Sequence, residues 1–127
     1  MIKITNNQLQ NSTVALSKLS QKELPIKVSF KLAKNISKIN AELKIYNDER
    51  QKLVEKYSIK DKDDKPIIEN NQIKLQPELI TEWNRDMQEL LSIESEVDIK
   101  QFSIDSLDGI KISPSELTQI NYMIEDI

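Results

Sequence analysis

Residues 26 to 65 contain neither glycine nor proline, and no other feature restricts the fold as much. With good helix formers and no breaker, this stretch predicts one helix from Pro25 to Tyr57. Its inward positions run Leu32, Ile36, Ile39, Leu43, Tyr46, Arg50, Leu53 and Tyr57, in alternating steps of four and three, a heptad rhythm. At 1.5 Å per residue such a rod is about 50 Å long. That length is unusual in a small domain, so part of the helix is expected to project or to pair with a second copy. Arg50 interrupts the apolar seam; its stem is expected to pack while its head reaches an acidic partner.

Shorter elements are expected around this rod. "MIKI" alternates as a short edge strand. Thr5 and Gln8 form a capping box opening a helix through about Leu19, with Leu9, Leu16 and Leu19, and Val14 beside them, as its apolar stripe. Pro25 suits the first turn of the long helix. Pro77 is expected to start a helix to about Ile93, with Ile80, Trp83, Met87 and Leu90 inward, helped by Leu79 and Leu91. "EVDIKQFSI" reads as a strand through Val97 and Ile99, with a bulge before Phe102 and Ile104. Gly109 serves a turn that needs positive φ. Ser113-Pro114-Ser115-Glu116, both a capping box and a proline at the first helical position, is the clearest helix start, leading to an apolar face of Leu117, Ile120, Ile124 and Ile127. The expected fold is mainly α, of the α+β kind. It has a long helix, about three shorter ones, and a small antiparallel hairpin or three-stranded patch, in a single domain spanning 1–127.

The run "KDKDDKPIIENNQIKL", residues 60–75, poses a choice between a calcium loop and a corner. An EF-hand counted from Asp61 places Asp63 at position 3. It also places Lys65 at position 5, Pro66 where glycine is required, and Gln72 in place of the bidentate glutamate. Starting at Asp63 puts Lys65 at position 3. The hairpin reading fits better. Two short apolar–polar runs flank Asn70-Asn71, and asparagine tolerates the left-handed conformation of a two-residue turn. Asp61 to Lys65 then forms a solvated corner, and Pro66 marks an edge strand.

The chain has no cysteine, no histidine and one glycine. Thiolate chemistry is therefore absent, the commonest general base and metal ligand are missing, and no glycine-rich phosphate loop exists. A non-catalytic protein without cofactor or metal is expected. No run of about 18 apolar residues suggests a membrane span, and the start lacks the order of a secretory signal; a reducing cytoplasm is the default expectation. Charge is uneven. Residues 1–57 hold 11 Lys/Arg against 5 Asp/Glu, and residues 58–127 hold 7 against 16. Either the halves fold onto each other or one face recruits a charged partner.

Two stripes sharpen that choice. Lys27, Lys31, Lys34 and Lys38 line one face of the long helix, and Glu78, Glu82, Asp86 and Glu89 line the later one. They are expected to pair within the fold or across a dimer. A phosphate backbone is a weaker match for the lysines, because arginine is scarce and no aromatic residues are interleaved as a stacking platform. Asp61, Asp63, Asp64, Glu94, Glu96, Asp98, Asp105 and Asp108 would present a negative field if they shared one surface. Leu32, Ile36, Ile39, Leu43, Tyr46, Leu53, Tyr57, Trp83, Met87 and Leu90 are the expected structural core.

The runs "ELKIYNDERQKLVEKYSIKDKDDKPI", "EWNRDMQELLSIESEVDI" and "ISPSELTQINYMIED" resemble a family of short phage-encoded proteins of unassigned function. These share a long charged helix ending in "EKY", an acidic turn, a second helix, a short strand and a terminal helix. Where family members carry glycine in the acidic turn, this chain has Asp64-Lys65. The resemblance implies phage or prophage origin and expression in the bacterial host cytoplasm, and it carries no functional residues. The function expected is protein–protein binding by an accessory protein that blocks a host factor. The alternatives are a virion or assembly component and a nucleic-acid binder using the lysine stripe.

Overall fold

A computed structural model of the chain describes residues 1–125. The strands are β1 (Ile2–Thr5), β2 (Ile68–Glu69), β3 (Gln72–Ile73) and β4 (Glu94–Val97). The helices are α1 (Asn6–Asn11), α2 (Thr13–Ser20), α3 (Ile26–Tyr57), α4 (Ile80–Ser92) and α5 (Pro114–Gln119), with 3-10 turns at Pro77–Leu79, Ile104–Leu107 and Asn121–Met123. The fold is mainly α with two small antiparallel strand pairs. The chain divides into two compact units, the first built from residues 1–43 and 94–127, the second from 44–93.

In the first unit β1 pairs with β4, Ile2 opposite Val97 and Ile4 opposite Ser95. The capping box forms as read: Gln8 N–H donates to Thr5 Oγ1 at 3.1 Å, and Thr5 N–H donates to Gln8 Oε1 at 2.9 Å. The helix it opens does not continue unbroken to Leu19. The chain turns at Ser12, whose buried hydroxyl donates to the Leu9 carbonyl at 2.8 Å and accepts from the Tyr122 hydroxyl at 2.8 Å. A serine side chain that takes a local carbonyl competes with the helix ladder. After this reset Ala15, Leu16 and Leu19 point inward, while Val14 is 59% exposed rather than part of the stripe.

α3 starts at Ile26, and the Pro25 carbonyl accepts its first bond, from Ser29 N–H at 2.9 Å. In this unit Val28, Leu32, Asn35 and Ile39 are buried on its inner face. Ile36 and Leu43 are only half-buried; they pack on the core while lining a cleft of about 240 Å³ with Leu16 of α2. The core they join contains Ile4, Leu9, Phe102, Leu107, Ile120 and Met123.

The strand expected through Ile104 stops at Val97. Val97 stands opposite Ile2, the first residue of β1, and its carbonyl accepts from Ile99 N–H at 3.0 Å, which turns the chain. Beyond the turn the Asn35 side chain accepts from Lys100 N–H at 2.8 Å and donates to the Lys100 carbonyl at 2.9 Å. A side-chain amide thus takes backbone groups that a neighbouring strand would otherwise need. Ile99 and Phe102 are buried without being strand residues, and Ile104, 38% exposed, opens a 3-10 turn. Ser113 Oγ caps α5 by accepting from Glu116 N–H at 3.2 Å, with Pro114 at the first position. α5 ends at Gln119, so Leu117 and Ile120 are not continued by Ile124 on one helical face. Ile124 instead forms a parallel bridge with Phe102. Ile127 lies outside the described residues.

In the second unit the last turns of α3 meet α4 and the hairpin. Tyr46, Val54 and Tyr57 are buried; Leu53 is half-buried, and its neighbour Val54 takes the inward place. Trp83 meets Tyr57 edge-on, ring centroids 6.3 Å apart and planes at 82°. Leu90 is buried and Met87 half-buried, but Ile80 is 42% exposed. A 3-10 turn at Pro77, with three residues per turn, precedes α4 and changes the phase of the stripe; Leu79 in it is half-buried.

The hairpin forms on Asn70-Asn71, with φ of 52° and 63°. Two successive positive values define the type I′ turn that suits strand twist. Ile68 pairs with Ile73 and Glu69 with Gln72. The acidic run is a corner: Asp61 Oδ1 accepts from Asp63 N–H at 2.9 Å and Lys65 N–H at 3.0 Å. Asp64 adopts φ 60°. A third strand joins neither pair among the described residues.

Candidate functional site

The four lysines of α3 are not equivalent. Lys38 Nζ donates to the Asp98 carbonyl at 2.7 Å and to its carboxylate at 3.1 Å. Lys31 Nζ donates to the Gln101 carbonyl at 3.1 Å. These two are fastened to the segment after β4. Lys34 lies 4.8 Å from the centre of the Phe30 ring, a cation–π distance. Lys27, exposed, lines a shallow apolar dip with Ile26, Phe30 and Lys31. Phe30 is thus an aromatic residue interleaved with the lysines, which corrects the reading of the stripe as free of them.

Ile26 and Phe30 stand one turn apart on the outer face of α3, 85% and 62% exposed. The heptad reading passed over them because it followed only the inward positions. The signal was available: two large apolar residues four apart, off the seam and beside lysines.

The acidic residues of the second unit also separate. Asp86 accepts from the Tyr57 hydroxyl and lies 3.8 Å from Arg85. Glu82 keeps one carboxylate oxygen buried without a hydrogen-bond partner. Glu78 sits in the 3-10 turn before α4, and Glu78 and Glu89 are exposed. The lysine stripe therefore belongs to the first unit and the acidic stripe to the second.

The wider acidic set divides as well, with Asp61, Asp63 and Asp64 in the second unit and Glu94, Glu96, Asp98, Asp105 and Asp108 in the first. Asp98 is neutralised by Lys38 and by Lys100 at 3.2 Å. The hydrogen bond from Lys38, then that from Lys100, holds its carboxyl below the usual carboxylate range. No group of three or more Asp or Glu among the described residues comes together as a metal would need.

The second unit also holds a groove of about 880 Å³ between the end of α3, the corner and the hairpin. Val54, Leu75 and Trp83 contribute apolar surface to it, and Arg50 lines one side. Arg50 is half-buried at the inward slot that the seam left to it. It takes part in none of the ion pairs found among the described residues, so its expected acidic partner is not among them. Burial raises the pKa of the Tyr46 phenol, and the neighbouring Arg50 charge opposes that rise.

Among the described residues no helix is long and apolar enough to cross a membrane. No protein-family model matches the chain, and no curated protein and no solved structure matches it either.

Proposed function

We propose that the chain is a small phage- or prophage-encoded accessory protein that acts in the bacterial host cytoplasm without catalysis, by binding another protein. The single observation that carries this reading is the exposed Ile26–Phe30 pair on a helix whose opposite face is sealed into a core. An aromatic and an aliphatic side chain at the centre with cations at the rim is the composition of a protein-binding patch. Lys27 and Lys34 select for a partner surface whose apolar segment is flanked by carboxylates, since complementary charge sets encounter and register.

Blocking a host factor is the mode of action that the phage resemblance supports. The nucleic-acid reading draws less support. A phosphate backbone needs several free cations in a row, whereas Lys31 and Lys38 are engaged within their own unit. The greasy seam of α3 is likewise occupied: Leu32 and Ile39 are buried in the first unit, and Tyr46 and Tyr57 in the second. A contact with a second copy would therefore have to use the outer face.

The test is capture from phage-infected cells with the wild-type protein and with the double variant Ile26→Ser, Phe30→Ser. Both side chains are exposed, so the variant keeps its far-UV circular dichroism. The expected outcome is that specific prey recovered by the wild type is lost from the double variant. Equal recovery by the variant would exclude the outer face of α3 as the contact.

A further inference from the structure

Arg50 is a charge that protein binding through Ile26 and Phe30 does not use. It is half-buried, and no carboxylate among the described residues stands at ion-pair distance from it. Its side chain lines the groove of the second unit, as does that of Lys65, which also takes part in no ion pair among the described residues. Glu55 is the one carboxylate residue in that lining, so the groove carries an excess of positive charge.

The rest of the lining narrows the class of ligand. Val54, Leu75, Ile73 and Trp83 offer apolar surface, and the half-buried indole offers a flat face for a side chain. Gln51, Asn71 and Gln72 add three side-chain amides, which both donate and accept and so match a peptide backbone. The volume of about 880 Å³ lies within the range of sites that enclose a small molecule or a few residues. Ile68, at 66% exposure, extends the apolar lining into solvent.

We propose that this groove binds a short extended peptide segment of another protein, with an aromatic or aliphatic side chain against Trp83 and Val54 and a neighbouring carboxylate against Arg50 and Lys65. Charge complementarity selects the acidic residue, the apolar lining selects its neighbour, and the amides hold the backbone. The assignment does not depend on the Ile26–Phe30 patch and stands or falls separately from it.

Trp83 is the only tryptophan of the 127 residues, so its emission reports the groove in the unmodified chain. The probe is acetyl-Glu-Phe-Glu-Leu-amide, compared with acetyl-Lys-Phe-Lys-Leu-amide and with N-acetylphenylalanine. A saturable change in Trp83 emission is expected with the acidic peptide. Affinity is expected to fall about tenfold for Arg50→Gln, the effect of losing one charge pair in a partly desolvated site, and further for the lysine peptide, which reverses two charges. Lys65→Gln, at an exposed corner, is expected to weaken binding as well, and it keeps the test valid if Arg50→Gln does not fold. The double variant Ile26→Ser, Phe30→Ser is expected to titrate as the wild type does. No saturable change up to about 1 mM acidic peptide, the bottom of the useful affinity scale, would overturn the proposal. So would equal responses to the two peptides. Equal affinity for N-acetylphenylalanine would overturn the peptide assignment in favour of a small aromatic acid.

Discussion

Asn35 and Asp98 show how single polar side chains organise the first unit. Asn35 is fully buried on the inner face of α3, although the heptad rhythm assigns the inward place to its neighbour Ile36. Its two hydrogen bonds to Lys100 imitate the pairing of one strand with another. Two residues before Lys100, Asp98 anchors Lys38, and the partnership makes its ionised form more favourable in the folded chain. The sign follows from linkage. The folded pKa lies below the unfolded value of about 3.9, so the contribution to stability is present above that value and is lost as pH falls through the lower folded one. Carboxyl titration followed by NMR is expected to place the Asp98 midpoint below 3.9 or so in the wild type. Lys38→Gln is expected to move it upward, because the Lys38 bond is the largest cause of the depression. A midpoint that ignores Lys38→Gln would leave that bond without its assigned role.

Among the elements, those that begin with a specific hydrogen bond or backbone requirement were legible, and those that end for tertiary reasons were not. Thr5 with Gln8 and Asn70 with Asn71 each state their geometry locally and are found as read; at Ser113 the serine half of the capping box forms, with Pro114 at the first helical position. The uninterrupted composition of residues 26–57 likewise made α3 visible. By contrast, β4 stops at Val97, opposite the first residue of β1, and Asn35, far away in sequence, takes the Lys100 backbone groups three residues on. α5 stops at Gln119, and Ile124 pairs with Phe102 instead. Neither partner can be read from a local window. The candidate surfaces followed the same division. The lysine spacing was plain, but which lysines are engaged depends on Gln101 and Asp98. The groove around Arg50 depends on the hairpin and on α4. The hairpin turn itself offers a direct test. Asn71 holds φ 63°, a conformation that costs an ordinary L-residue about 1 kcal/mol or more. Asn71→Ala is expected to lower stability by about 1 kcal/mol, while Asn71→Gly is expected to be neutral or stabilising. Urea denaturation followed by Trp83 emission measures both; an alanine variant as stable as the glycine one would show that the turn does not require positive φ.

For the whole molecule, the uneven charge of the sequence takes a simple form. Residues 1–43 hold 7 Lys/Arg and 2 Asp/Glu, and residues 94–127 hold 2 and 8; both segments belong to the first unit. The basic beginning and acidic end thus meet in one body, with Lys38–Asp98 and Lys18–Glu116 as visible contacts. Each unit has its own buried residues, which gives a prediction at this scale. Asn35→Ala strands the Lys100 donor and acceptor, at a cost of about 2 kcal/mol. Amide exchange at Leu16 and Met123, in the first core, is expected to accelerate by about thirtyfold. The urea midpoint of Trp83 emission, which reports the second unit, is expected to stay in place. A Trp83 midpoint that moves by the full amount would show that the chain unfolds as one cooperative body. Finally, Gly109 is the only residue of the 127 without a side chain. Its φ is 81°, and a Cβ built there meets nothing within 4 Å. Room is therefore not what excludes an L-amino acid; handedness is. A chemically synthesised chain with D-alanine at 109 would place its methyl in open space with a backbone already suited to the mirror-image residue, and it would lose less chain entropy on folding than glycine does.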